Sequence, residues 1–320
     1  MKRYRLILIM FLSTFFISYS FEIKLDKQIN VSGGVLDIVY YQDRIITSTE
    51  KGIIEIINPK TGKIEKKIEL PKIKSFMGEQ IFPKIFSVDV YADNIVMVSE
   101  ATGGNRDIFF KGKDNIKKIN LTNENLQYTK VRFWGGNYIL LTTKGSELIL
   151  YDYQKNKIIY RKQISSYSFG DFNLCDNKRY GVLGDEGGSV YLIDLSTGNV
   201  LKKFDKVNVD QIYRVDCKSS KIITGGRDRR IGYYDINTNN YKKIEADFIV
   251  FSVALSPDGK IGVYQINESN DLGVYDFSLD KRLLILKGHK STVGVIDYVS
   301  QDLIISGSDD GKIIIWRIKR

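Results

Sequence analysis

The chain has 320 residues, 43% of them hydrophobic, and its 48 Lys and Arg against 38 Asp and Glu give a formal net charge of +10. A single His excludes multi-His zinc or iron sites, HExxH chemistry and CxxCH haem attachment. With 4 Pro, 20 Tyr and 16 Phe, the composition favours strands over helices.

In chain order, the first segment is MKRYRLILIMFLSTFFISYS, with Lys2, Arg3 and Arg5 ahead of an apolar run from Leu6 to Ile17 and then Ser18 and Ser20. This is the pattern of a secretory signal, and the run falls short of the roughly 20 residues that span a bilayer. The expectation is a cleaved signal peptide over residues 1–20, a periplasmic mature chain and no stable membrane insertion. No Cys lies near the cut, which argues against a lipid anchor. Cleavage removes three positive charges, leaving +10 − 3 = +7. These charges interleave with acidic ones, the pattern of a solvated lysine-rich face, so no nucleic-acid partner is expected.

Beyond the signal one phrase recurs: an apolar strand, a Gly/Asp/Asn turn, a strand ending in aromatic-Asp, a second turn, then a basic-apolar strand. Copies begin at Ile45, Ile95, Tyr138, Tyr180, Lys221 and Leu303. The marker residue closing the aromatic strand is Asn58, Asp152, Asp194, Asp235, Asp276 and Arg317, at spacings of 94, 42, 41, 41 and 41. The first interval is two periods plus about ten residues, which puts an insertion near Pro71 to Pro83. Four short strands in each unit of about 40 to 45 residues are the signature of a propeller blade, and seven units result. The expected fold is an all-β, seven-bladed β-propeller over residues 21–320. The last unit lacks an outer strand before Arg320, and FEIKLDKQI, Phe21 to Ile29, resembles the outer strands elsewhere. That segment is expected to complete the last blade and close the ring.

Gly288-His289, SGSDDG from Ser306 and Trp316 make the last unit resemble a nearly complete WD repeat. The chain is thus similar to the WD-repeat β-propeller family. The resemblance implies a hydrogen-bonded structural tetrad of His289, Ser306, Asp310 and Trp316. Blade five keeps Thr224, Asp228 and Tyr234 at the same offsets with no matching His, and Arg317 replaces the Asp of the Trp-Asp pair. In size, signal, degenerate blades and Lys/Ile/Asn-rich composition the chain also resembles the exported WD-repeat accessory proteins of periplasmic nitrate reductase systems.

No catalytic, metal-binding or cofactor-binding residue is expected, and no cofactor. A Ser-His-Asp triad would have to use His289, which has a structural explanation. Asp185-Glu186 and Asp309-Asp310 read as turn residues and not as glycosidase carboxylates. No loop, including those at Asp176 and Asp309, has the alternating oxygen spacing of a calcium cage. The Gly turns at Gly78, Gly103 and Gly135 precede no helix and are not phosphate cradles. Cys175 and Cys217 stand 217 − 175 = 42 residues apart, one repeat, at equivalent ends of the inner strands of blades four and five. Export permits a disulfide between them if their Cα atoms lie within about 7 Å; two free buried thiols are the alternative.

The turns between second and third strands gather on one face Glu50, Lys51, Asn105, Arg106, Lys144, Asp185, Glu186, Asn270 and Asp309. Arg227, Arg229 and Arg230 of blade five form the sharpest cluster there, the candidate partner-binding rim. The expected function is a non-catalytic exported scaffold for protein–protein interaction. Its partner is expected to be an exported redox enzyme, nitrate reductase among them, or that enzyme's maturation machinery. The alternative, a propeller enzyme or cofactor binder using the central channel, has no His, metal or cofactor motif behind it.

Overall fold

Each repeat folds into a four-stranded antiparallel sheet because its strands carry apolar side chains on both faces and its turns supply left-handed backbone. In the turn joining the first two strands of blade one, Gln42 and Asp43 take φ values of 46° and 55°, the conformation of a tight two-residue hairpin. The computed structural model describes residues 22–319 except 76, 114, 122–124 and 177. The signal expected over residues 1–20, with Phe21, lies outside them.

Seven four-stranded sheets form a ring of blades, and their inner strands line a central channel. Those inner strands are Val35–Tyr41, Ile85–Tyr91, Tyr128–Phe133, Phe169–Leu174, Ile212–Lys218, Val253–Leu255 and Val293–Ser300, in blades one to seven. The core is not one mass. It divides into seven apolar clusters, one between each pair of neighbouring blades. Two-sided burial of this kind requires strands that are apolar throughout, such as Leu303–Ser308, in which every residue is buried. Outer strands such as Lys157–Gln163 alternate between partly covered and exposed positions, which accounts for their lysines.

The N-terminal strand Glu22–Asn30 pairs antiparallel with Lys312–Lys319 and completes blade seven. A bulge between Leu25 and Lys27 shifts its register, and Ile29, opposite Ile313, enters the cluster between blades seven and one. The strand thus ties the chain's two ends together and covers an edge that would otherwise face solvent. The expected insertion is a small hairpin, Ile73–Lys74 with Gln80–Ile81, between blades one and two.

Close approach of blades restricts some residues to glycine. At Gly188, with φ of 83°, an added Cβ would lie 2.7 Å from the Asn208 backbone of the next blade.

Because the closing strand belongs to the ring's global stability, Ile29→Ala should cost about 2–5 kcal/mol, the usual range for emptying a buried Ile site. Urea unfolding followed by circular dichroism would measure it. A loss confined to fraying of the first strand, with the main transition unmoved, would contradict a closing role.

Candidate functional site: the channel, the blade tetrads and the blade-five rim

Inner strands pair on one side only, so their channel-facing backbone groups need other partners. Side chains from the preceding blade provide them. Asp37 Oδ2 accepts from Val88 N at 3.2 Å, and Asp89 Oδ2 from Phe133 N at 2.6 Å. Further round, Asp171 Oδ2 accepts from Val215 N at 3.1 Å, and Asp216 Oδ2 from Leu255 N at 2.8 Å. Ser87 Oγ does the same for Val131 N at 3.2 Å.

Cations then neutralise these carboxylates. Arg132 donates to both oxygens of Asp37, at 2.9 and 3.3 Å, spanning blades three and one. Lys130 Nζ lies 2.6 Å from Asp171 Oδ1, and both side chains are buried. Arg214 donates to Gly294 O at 2.8 Å and Leu36 O at 3.3 Å, reaching the strands of blades seven and one. Lys218 donates to Tyr298 O at 2.6 Å and lies 3.6 Å from Asp297. Burial alone would raise the Asp37 carboxyl, but Arg132 above all, with Lys130 and Arg214, holds it well below the usual carboxylate range. Asp89 and Asp297 go the other way, raised chiefly by burial. The channel space, about 280 Å³, is therefore lined by charges already committed to one another and to the backbone.

In blade seven the residues implied by the resemblance come together. Trp316 Nε1 donates to Ser306 Oγ at 2.9 Å, and His289 Nε2 lies 2.8 Å from the same oxygen. While accepting from the indole, Ser306 Oγ can donate its proton to His289 Nε2 in the tautomer that carries the ring proton on Nδ1. That nitrogen lies 3.5 Å from Asp310 Oδ2, an electrostatic contact wider than a good hydrogen bond. Asp310 mainly caps backbone, accepting from Lys290 N at 2.8 Å and Lys312 N at 3.1 Å.

Blade five makes the same connection without a His, a substitute that the sequence reading missed. Asn208 stands in for it, accepting from Thr224 Oγ1 at 2.6 Å and donating to Asp228 Oδ1 at 3.1 Å. Its signal was positional: Asn208 precedes Thr224 by 16 residues, as His289 precedes Ser306 by 17. Blade four uses Asp185, which accepts from Ser165 Oγ at 2.6 Å and Tyr191 OH at 3.0 Å. Asp185 is fully buried, so it does not belong to the exposed rim where its turn position had put it.

Cys175 and Cys217 are bonded, with Cα atoms 4.7 Å apart, and join blades four and five. Their positions are not equivalent, as their spacing had implied. Cys217 pairs with Ile222, the register position that Leu174 holds opposite Gly181, so Cys175 lies one residue further along. Along the inner strands the blade-to-blade interval here is 217 − 174 = 43, and the 42-residue spacing of the cysteines carries that one-residue offset.

On the rim, Arg227 and Arg229 are exposed. Arg227 has a loose partner in Asp210 at 3.9 Å. Arg230 differs from its neighbours: it is half-buried, donates to Val207 O at 3.1 Å and serves the turn. Two apolar residues that the sequence reading passed over extend the patch. Tyr167 is 58% exposed and sits on Gly187, while Val209 is 67% exposed and its N–H donates to Asp228. Tyr213, Phe251 and Phe248 follow one another as tilted ring pairs, with ring centroids 5.1 and 6.3 Å apart.

Replacing Arg132 by Met leaves Asp37 buried without its closest cation and should cost about 3–5 kcal/mol; adding Asp37→Asn should recover part of that loss in a double-mutant cycle. Because the folded pKa of Asp37 is depressed, its contribution is fully present above the ordinary value near 3.9 and is lost progressively as pH falls from there through the lower folded value, whereas Asp37→Asn lacks this dependence. Burial pushes His289 down, partly opposed by Asp310, so the unfolded chain takes up the proton first. Stability should fall as pH drops below about 6.5, and His289→Asn, built on the Asn208 precedent, should flatten that slope. Urea midpoints at two pH values on either side of this point would show it.

The family model described as WD domain, G-beta repeat, matches residues 280–317, from the outer strand of blade six through the third strand of blade seven. The seven-bladed ring and this matching repeat together support a WD-repeat β-propeller.

Proposed function

We propose that this protein is a non-catalytic scaffold that holds a protein partner on the rim of blades four to six. The observation that carries the reading is the patch of Tyr167, Val209, Arg227 and Arg229, with the aromatic run Tyr213, Phe251 and Phe248 beside it. Aromatic and Arg side chains dominate interface hot spots, and exposed apolar groups beside exposed cations suit a protein surface better than a small polar substrate. The channel supports the same reading, because its carboxylates are spent on strand edges and on Arg132, Lys130 and Arg214. WD-repeat propellers are typically interaction scaffolds.

The finer reading is that the scaffold works after export. The signal pattern of residues 1–20 supports this, as does the pairing of the two cysteines, since structural disulfides persist in oxidising compartments. The accessory role beside a periplasmic nitrate reductase, or another exported redox enzyme or its maturation machinery, rests on the resemblance in size, signal and composition.

Exchange of Arg227 and Arg229 for Glu, sparing the structural Arg230, should remove the partner from a pull-down on the exported fraction while leaving the thermal transition in place. Undiminished recovery with the doubly exchanged protein would count against the rim. Sequencing of the secreted chain should begin at Phe21, and alkylation without reductant should add nothing to either cysteine. A retained leader or two reactive thiols would count against export.

A further inference from the structure

We propose that the radial cleft between blades one and two is a second docking site, which takes an acidic linear segment of a protein partner by a single apolar anchor. This goes beyond the rim reading, because the cleft opens on the opposite face of the ring, beside the turns that join first to second strands.

The cleft exists because one blade departs from the repeat. Two residues beyond the one that pairs with the second residue of the second strand, the other blades place an apolar side chain against the preceding blade. Register identifies that position as Pro59, Tyr153, Leu195, Ile236, Phe277 and Ile318. Leu195 is fully buried, and Phe277 is 3% exposed and stacks on Tyr233 with ring centroids 3.8 Å apart. In blade two Lys111 pairs with Ile95, so the equivalent residue is Lys113, which is exposed. From blade three on, the residue at this position also donates its N–H to the turn before its second strand, as Leu195 does to Arg179 O at 3.0 Å and Phe277 to Lys260 O at 2.9 Å. Blade two makes no such bond among the described residues; instead Gly112 N donates to Asn115 O at 3.2 Å.

What the missing plug leaves is a space of about 540 Å³. Ile46, Ile56 and Ile68, on three adjacent strands of blade one, line it opposite Ile95 of blade two. Strands about 4.8 Å apart give that apolar floor a span of about 10 Å, the length of three extended residues. Arg44 at its edge is paired with Glu65, but Lys66, Lys111 and Lys113 have no carboxylate partner among the described residues. Lys111 spends two donors on the carbonyls of Gly112 and Lys113 and keeps its charge. Three ammonium groups, set against the single carboxylate of Asp93 among the described lining residues, surround an apolar slot and match a peptide with acidic residues on both sides of a large apolar one. A single-headed anionic amphiphile would leave two of the three unmatched.

The test uses the mature full chain and a fluorescein-labelled hexapeptide, Glu-Asp-Leu-Phe-Asp-Glu, read by fluorescence anisotropy. A saturable rise is expected, absent for the peptide with Ser in place of Leu and Phe. Lys113→Leu restores the plug of the other blades and should abolish the signal without lowering the melting temperature. Lys66→Glu should weaken binding by about tenfold, equivalent to about 1.4 kcal/mol. Exchange of Arg227 and Arg229 for Glu should leave the signal unchanged, which separates this site from the rim. The absence of a saturable rise, equal binding by the Ser peptide, undiminished binding by a folded Lys113→Leu protein, or full displacement by dodecanoate would each overturn the proposal.

Discussion

The inner strand of each blade presents a backbone edge to the channel with no strand left to pair it, and the ring depends on how those groups are satisfied. Carboxylates on the channel wall reach forward to the next blade's N–H groups, as Asp37 does to Val88 and Asp171 to Val215. Each such bond joins two blades that share no sheet hydrogen bonds. A buried carboxylate is costly without a cation, which accounts for Arg132, Lys130 and Arg214 in a space where solvent would otherwise be expected. The charge network is therefore part of the fold's frame.

Outside the channel, stability comes from repetition with local substitutions. Every blade interface buries an apolar cluster, and the polar contacts above those clusters differ from blade to blade. Blade seven links His289, Ser306 and Trp316, blade five links Asn208, Thr224 and Asp228, and blade four links Ser165, Asp185 and Tyr191. The three sets meet one requirement: each supplies a donor or acceptor to a buried partner that would otherwise lack one. A repeat in which such sets are interchangeable tolerates loss of the WD signature, so blade seven carries the recognisable version and its neighbours do not.

The same tolerance produces the two surfaces proposed as docking sites. Where blade two replaces the inter-blade plug with Lys113, a basic-edged cleft opens; where blade five carries Arg227 and Arg229 in its turn, a rim patch forms beside Tyr167 and Val209. Neither change disturbs the sheet beneath it, because both fall at turns whose backbone conformation is set by the flanking strands.

Periodicity in the sequence was sufficient for blade count, for the closing strand from Glu22 to Asn30 and for the insertion after blade one, since each follows from apolar strands repeating at a fixed interval. His289, Ser306 and Trp316 were legible through the resemblance of the last unit to a WD repeat. Asn208, the burial of Asp185 and the inward turn of Arg230 were not, because Asn, Asp and Arg are ordinary turn residues and only the packing of adjacent blades distinguishes a buried one from a solvated one. The spacing of the cysteines was legible, but the one-residue offset that brings Cys175 onto Cys217 is a matter of strand register. The channel network was the least visible of all: Asp37 and Arg132 are 95 residues apart and meet only when the ring closes. Local pattern determined what each blade is, and the three-dimensional closure of the ring decided which side chains meet across it.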